Sequence, residues 1–319
     1  MANHRSRLWK LANSQDFGPL SILSQGINEL EGRDANFLPD LSRSQTIFVA
    51  SDYSGEHETA EYKISSFLFG DQQSLADWEI VRTAVREKFL QNREMSFKRL
   101  NDGKRRRALL PFLNAADNIN GISVSIAIHK RVESLFSLRR MNLKELGLER
   151  YSHWDSSTLE KLFRIANFIG FFVAGLSRSG QNIYWITDED AIVANETRIA
   201  EAKEICSFAL KYYLDHDIGN FSCKTTALAD NIIQAKDLVA IPDLVAGTLS
   251  EILSKMHLEN SMPVDDKTTP LPVLTSSKGK EIIQWFADNS RPLKRFLCVI
   301  PPRSSPWRIR IIDFPTLCK

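Results

Sequence analysis

Cysteine is scarce: four residues in 319, at Cys206, Cys223, Cys298 and Cys318. None forms a C-x-x-C pair or stands at zinc-ligand spacing from a histidine, which removes a disulfide framework and a zinc-finger signature from consideration. They read as reduced thiols of a cytoplasmic protein. Long apolar runs are missing as well. The opening MANHRSRLWKLANSQDFG contains no continuous apolar stretch, so no signal peptide is expected. The most apolar segment, Ile165 to Leu176, is too short to span a bilayer, so no membrane partner is expected. Nor is there an excess of one charge: 41 Lys and Arg against 39 Asp and Glu leave a formal charge of +2, and nucleic-acid binding would have to come from local patches. The chain has no G-x-x-x-x-G-K phosphate loop, no G-x-S-x-G elbow, no internal repeat and no low-complexity tract.

What the chain does have is an ordinary globular composition, 43% apolar and 25% charged, and enough length for a sizeable core. Strands are expected at Thr46–Ala50, Glu61–Gly70, Gly121–Lys130, Asn182–Asp188 and Phe221–Thr225. The third alternates strictly through Ile122, Val124, Ile126 and Ile128, which implies a half-polar second face. Helices are expected at 74–91, 104–116, 158–175, 189–213 and 242–257, with Pro242 well placed to start the last. Two opening strands, an insertion, and then strand–helix alternation describe an α/β protein. It would have a ribonuclease-H-like mixed five-stranded sheet with helices on both faces. The expected organisation is an N-terminal extension over 1–43, this domain over 44–258, and a C-terminal extension over 259–319. That last part comprises a linker rich in Pro, Thr, Asp and Ser, a helix over 278–289, and a hairpin of strands Arg295–Ile300 and Trp307–Phe314 joined by PPRSSP.

The acids fall in informative places. Asp52 follows the first strand, Asp188 ends an apolar strand with Glu189 and Asp190 behind it, and Asp243 opens the expected helix. Sites in α/β sheets gather at strand ends and helix starts. Two carboxylates about 4 Å apart repel by about 4 kcal/mol at an effective dielectric near 20, so a converged trio stays ionised only with cations between its members. Oxygen donors suit magnesium or manganese, and a pair of such ions suits phosphodiester hydrolysis. Each acid also has an ordinary role open to it: Asp52 in a turn before Gly55, Asp188 and Asp190 in an exposed acidic turn, and Asp243 as an N-terminal helix acid.

The stretches ASDYSG, YWITDEDAI and KDLVAIPDLVAG resemble the motifs of the domain-of-unknown-function 3800 family of ribonuclease-H-like proteins. The resemblance runs from about Thr46 to His257 in the family's order. It rests on Asp52-Tyr53-Ser54-Gly55, Asp188-Glu189-Asp190 and Pro242-Asp243-Leu244-Val245-Ala246-Gly247. It implies a nuclease-type metal site with Asp52, Asp188 and Asp243 as catalytic ligands and Asp190 or Glu94 as helpers. Glu94-Met-Ser-Phe-Lys98 is similar to the family's E-x-K element, with extra spacing. Tyr53 departs from the pattern, standing where the family has Glu.

Lys98, Arg99, Lys104, Arg105, Arg106 and Arg107 form the densest basic run, fit either to hold a nucleic-acid backbone or to be a solvated helix face. His57, His129, His153, His216 and His257 show no metal spacing, and His129 reads as structural. Two functions follow. One is a magnesium- or manganese-dependent nuclease acting on RNA or DNA. The other is a non-catalytic binding or assembly protein on the same fold that engages nucleic acid or a protein partner, its C-terminal hairpin offering an edge to a partner chain.

Overall fold

The computed structural model describes residues 9, 18–132, 134–135, 149–262, 277–302 and 309–312. Most of the expected linker at 259–275, part of the N-terminal extension, most of the PPRSSP connection and Cys318 lie outside the described residues. The described helices are α1 (Pro19–Arg33), α2 (Leu75–Val85), α3 (Gly103–Ala116), α4 (Ser156–Leu176), α5 (Glu196–Tyr213), α6 (Ile232–Leu258) and α7 (Ser277–Phe286). The strands are β1 (Thr46–Ser54), β2 (Tyr62–Asp71), β3 (Gly121–His129), β4 (Asn182–Thr187), β5 (Phe221–Thr225), β6 (Lys294–Ile300) and β7 (Arg310–Ile312).

All seven strands form one mixed sheet in the order β5-β4-β1-β2-β3-β6-β7. The expectation of five strands is corrected here. β6 pairs parallel with β3 from Ile122↔Lys294 to Ile128↔Ile300, and β7 pairs antiparallel with β6. The reason is visible in the chain: Phe296, Cys298 and Ile300 point to one core while Leu297 and Val299 point to the other, so β6 is an inner strand. The β1–β2–β3 meander is antiparallel, and β4 and β5 add parallel to β1.

Strand alternation sorts side chains between two cores. In β1, Ile47 and Val49 join the core under α1, α4 and α5, while Phe48 and Ala50 join the core under α2, α3, α6 and α7. With helices on both faces, a strand is apolar or small throughout. That corrects the half-polar reading of β3. Ser123 and Ser125 are fully buried, and Ser125 hydrogen-bonds Ser66 of β2 at 2.7 Å.

α6 departs most from expectation. It starts at Ile232, where Asn231 caps it by accepting from the Gln234 N–H, and Pro242 lies inside it. An interior proline removes one helix hydrogen bond. Here the turns on both sides are anchored, since Leu238, Ile241, Leu244 and Val245 are all buried. Asp243 is therefore a mid-helix residue and neither a cap nor a first-turn acid. Among the described residues no helix is long and apolar enough to cross a membrane, and Cys206, Cys223 and Cys298 are buried free thiols.

Candidate metal centres

Parity along β1 decides which face receives which residue. Asp52 follows Phe48 and Ala50 toward α6, whereas Tyr53 packs with the opposite core. The parallel register Ala50↔Ile186 and Ser51↔Thr187, carried on by one residue, sets Asp188 beside Asp52 just past the end of β4. α6 crosses the same face. Lys236, Ala240 and Asp243 recur at four and three residues, so they share one helix face. The three expected aspartates thus line one cavity of about 220 Å³, together with Glu94, Ser96, Glu189, Thr226 and Lys236.

The segment before α3 closes this cavity. The Phe97 N–H donates to Asp243 Oδ2 at 2.7 Å. Gly247, one turn on, makes room for the Phe97 ring, since a Cβ there would sit 2.2 Å from Phe97 Cδ1. Arg105 is buried. It donates from Nε to the Glu94 carbonyl at 2.7 Å and pairs with Asp102 at 3.2 Å, holding the segment in place. The Glu94 carboxylate meets Lys236 Nζ at 2.5 Å and Arg99 at 3.4 Å. Gly55 follows β1 at φ +83°, with the Tyr62 carbonyl 1.9 Å from where a Cβ would be.

The electrostatics are those of crowded acids. Burial, then the charges of Asp243 and Asp188, pushes the Asp52 carboxyl well above its usual range. Burial also raises Asp243, against the Phe97 N–H and a hydrogen bond with Asp52 that pull it down. Asp188, at the exposed lip, is raised by partial desolvation and by its contact with Glu189. Glu189 is lowered: bonds from Asp188 and the Ala227 N–H outweigh its desolvation. Thr226 Oγ1 bridges Asp188 at 3.0 Å and Glu189 at 3.2 Å. Lys236 is raised, first by Glu94 and then by the acids beyond it.

Other expected residues are placed differently. Asp190 does not line this cavity. It pairs with Lys161 at 2.8 Å and caps the short turn after it through the Ile192 N–H. Arg105 is turned inward and does not offer its charge to a ligand, which corrects its place in the basic patch. Lys98 and Arg99 are exposed, and Lys98 is near enough to Asp243 to favour its ionised form. Arg106 and Arg107 are exposed and Lys104 half-buried on the first turns of α3. Tyr53 hydrogen-bonds Ser51 at 2.8 Å and lies under Lys161, on the face of β1 away from the aspartate cavity.

Lys236 and Thr226 escaped the sequence reading, which noted Glu189 only as the neighbour of Asp188. Lys236 stands seven residues before Asp243, two helical turns, which is legible only once the helix is known to begin before Pro242. A second group escaped it entirely. Among the described residues, one set of candidate ligands brings its donor atoms within 4.8 Å of one another: Glu61, His129 and His257. The aspartate set is wider than that. His129 and His257 are remote in sequence and approach Nε2 to Nε2 at 3.4 Å. Desolvation, followed by the neighbouring His257, lowers the His129 pKa, which favours the neutral ring.

No known protein-family model matches this chain, and no curated protein matches it. Among solved structures, a chain of the PCNA:RNase HII complex from Archaeoglobus fulgidus aligns with 83% of this chain and 96% of its own length. The TM-score is 0.34 and the sequence identity 12%. The fold itself is a mixed α/β sheet covered by helices on both faces.

Proposed function

We propose that the Asp52–Asp188–Asp243 cavity binds divalent cation, magnesium or manganese, and hydrolyses phosphodiester bonds of RNA or DNA. The chain would then be a ribonuclease-H-like protein of the domain-of-unknown-function 3800 type. One observation carries this reading: three aspartates from β1, the end of β4 and the middle of α6 line one small cavity, where burial and mutual repulsion oppose their ionisation. The donors are all carboxylate oxygens, which suits hard cations, and the exposed lip at Asp188 gives solvent and substrate a way in.

Asp52, Asp188 and Asp243 would hold the cation, with Glu189 beside them. Bound there, it supplies a water of lowered pKa and charge stabilisation for the leaving oxygen. The Phe97 N–H fixes one oxygen of Asp243, whose carboxyl group also hydrogen-bonds Asp52. Lys236, held by Glu94, places a permanent positive charge on the cavity wall. Lys98 and Arg99 add charge at the rim, and Arg106 and Arg107 extend it for a phosphate backbone.

The test is cleavage of single-stranded RNA, single-stranded DNA and an RNA–DNA hybrid by the full chain with magnesium or manganese. The expected result is cation-dependent cleavage of at least one substrate, reduced by about 100-fold or more in Asp52→Asn and Asp243→Asn, since even changes behind a metal ligand cost roughly 10–100-fold. No cleavage of any substrate by the wild-type chain overturns the reading.

A further inference from the structure

We propose that Glu61, His129 and His257 form a second metal site, of the zinc type, that clips the end of α6 to the β2–β3 pair. The three residues come from three elements. Glu61 immediately precedes β2, His129 ends β3, and His257 lies in the last turn of α6. The site is separate from the aspartate cavity: His257 is fourteen residues beyond Asp243 on one helix, about 21 Å at the helical rise.

The donor atoms lie close together. His129 Nε2 is 3.4 Å from His257 Nε2 and 3.6 Å from Glu61 Oε2, and His257 Nε2 is 3.9 Å from the same oxygen. In a triangle with those sides the point equidistant from all three atoms lies about 2.1 Å from each, the length of a zinc–nitrogen or zinc–carboxylate bond. Tetrahedral ligands around such bonds stand roughly 3.4 Å apart, so binding needs a contraction of a few tenths of an ångström. Two imidazoles and one carboxylate favour zinc over magnesium, and three protein ligands leave a fourth position for water.

The surroundings hold the ligands in place. The Glu61 N–H donates to Ser254 Oγ of α6 at 2.9 Å, and the Lys130 N–H donates to the Glu61 carbonyl at 2.9 Å. The Tyr62 ring meets both imidazoles edge-on, with centroids 5.1 Å from His129 and 6.0 Å from His257. One contact sets a condition. The Arg131 N–H donates to His129 Nδ1 at 3.1 Å, which leaves the proton of the neutral ring on Nε2, facing the centre. For zinc to take Nε2 that proton would have to pass through solvent to Nδ1; the ring would stay neutral, and the Arg131 N–H, left facing another N–H, would have to turn away from it. This gives zinc binding a signature that occupation of the aspartate cavity lacks.

The experiment titrates zinc, and separately cobalt, into EDTA-treated full-length wild-type chain, Asp52→Asn, His257→Gln and Glu61→Gln, by calorimetry and visible absorption. The expected result is one tightly held zinc ion, distinct from weaker uptake by the carboxylate cavity, with the same affinity in wild type and Asp52→Asn and weakened by about 100-fold or more in His257→Gln and Glu61→Gln. Cobalt should give four-coordinate absorption bands in the first two chains and not in the last two. In wild type, zinc should shift the Arg131 amide resonance. His257 and Glu61 are only half-buried, and metal-free unfolding temperatures within a few degrees of wild type confirm that the variants fold; if one does not fold, the other carries the test. Zinc affinity unchanged by both substitutions, zinc binding abolished by Asp52→Asn, or no cobalt bands in wild type overturns the proposal. None of these outcomes depends on nuclease activity.

Discussion

The Phe97 N–H donates to Asp243 Oδ2 at 2.7 Å, joining the segment before α3 to the middle of α6. The carboxylate thus does two things: it satisfies a backbone donor and lines the acid cavity. The two roles separate by substitution. Asp243→Asn keeps an acceptor for Phe97 and removes a charge from the acid cluster, so stability should stay within about 1 kcal/mol of wild type. Asp243→Leu leaves the Phe97 N–H without a partner and should cost about 1–3 kcal/mol. Urea unfolding of both variants in EDTA checks this. Equal loss in the two would show that the Phe97 contact carries no weight.

Gly247 carries the same junction. A methyl at this position would lie 2.2 Å from the Phe97 ring, so Gly247→Ala must push the segment off α6. The expected loss is about 1–3 kcal/mol, typical of overpacking, with weaker cation binding because Asp243 loses its anchor. Gly247→Ala with wild-type stability and wild-type cation affinity would contradict this close contact.

The acid cluster should make the metal-free protein pH-sensitive in a definite direction. Asp52, Asp188 and Asp243 are raised in the folded chain, first by burial and then, for Asp52, by the other two charges. A raised folded-state pKa contributes stability that is full below the unfolded-state pKa and is lost as pH rises through the folded value. Asp102, Asp155 and Asp288 are lowered and act in the opposite sense, so the comparison must be made against a variant. Relative to Asp52→Asn/Asp243→Asn, wild type should lose stability in EDTA as pH rises above about 4, the ordinary carboxylate value, by roughly 1.4 kcal/mol for each tenfold difference in proton affinity between the folded and unfolded chain. Magnesium or manganese should flatten the difference. Guanidinium unfolding at a series of pH values measures it, and a parallel pair of curves would rule out the crowding.

Lys236 neutralises part of the cavity through Glu94 at 2.5 Å. Both partners are partly exposed, so the pair adds at most about 1 kcal/mol to stability. Its larger effect should be on cations. Lys236→Met removes a positive charge from the wall and should tighten manganese binding, because like charge disfavours a cation at close range. Calorimetric titration decides; weaker binding in Lys236→Met would mean that Lys236 instead orients the acids.

The strands were legible because alternation and flanking turns mark them: β1, β2, β4 and β5 lie within a few residues of their expected bounds. β6 and β7 were legible as strands and illegible as sheet members, since nothing local in Arg295–Ile300 says that β3 is its neighbour. The start of α6 was misread because Pro242 is a common first-turn residue, whereas here buried neighbours on both sides carry the helix through it. Asp52, Asp188 and Asp243 could be nominated because each ends or follows an apolar run. Glu61, His129 and His257 could not, because the contact of β2, β3 and α6 that assembles them is purely tertiary.

The most direct test of the aspartate centre is thermal unfolding of EDTA-treated protein across a manganese titration, in wild type and in Asp52→Asn/Asp188→Asn/Asp243→Asn. A cation bound only by the folded chain stabilises it by about 2.7 kcal/mol at a hundredfold excess over its dissociation constant. The account predicts a concentration-dependent rise in Tm for wild type, retained in His257→Gln and absent from the triple variant. A wild-type Tm that does not move with manganese, or one that moves equally in the triple variant, contradicts it.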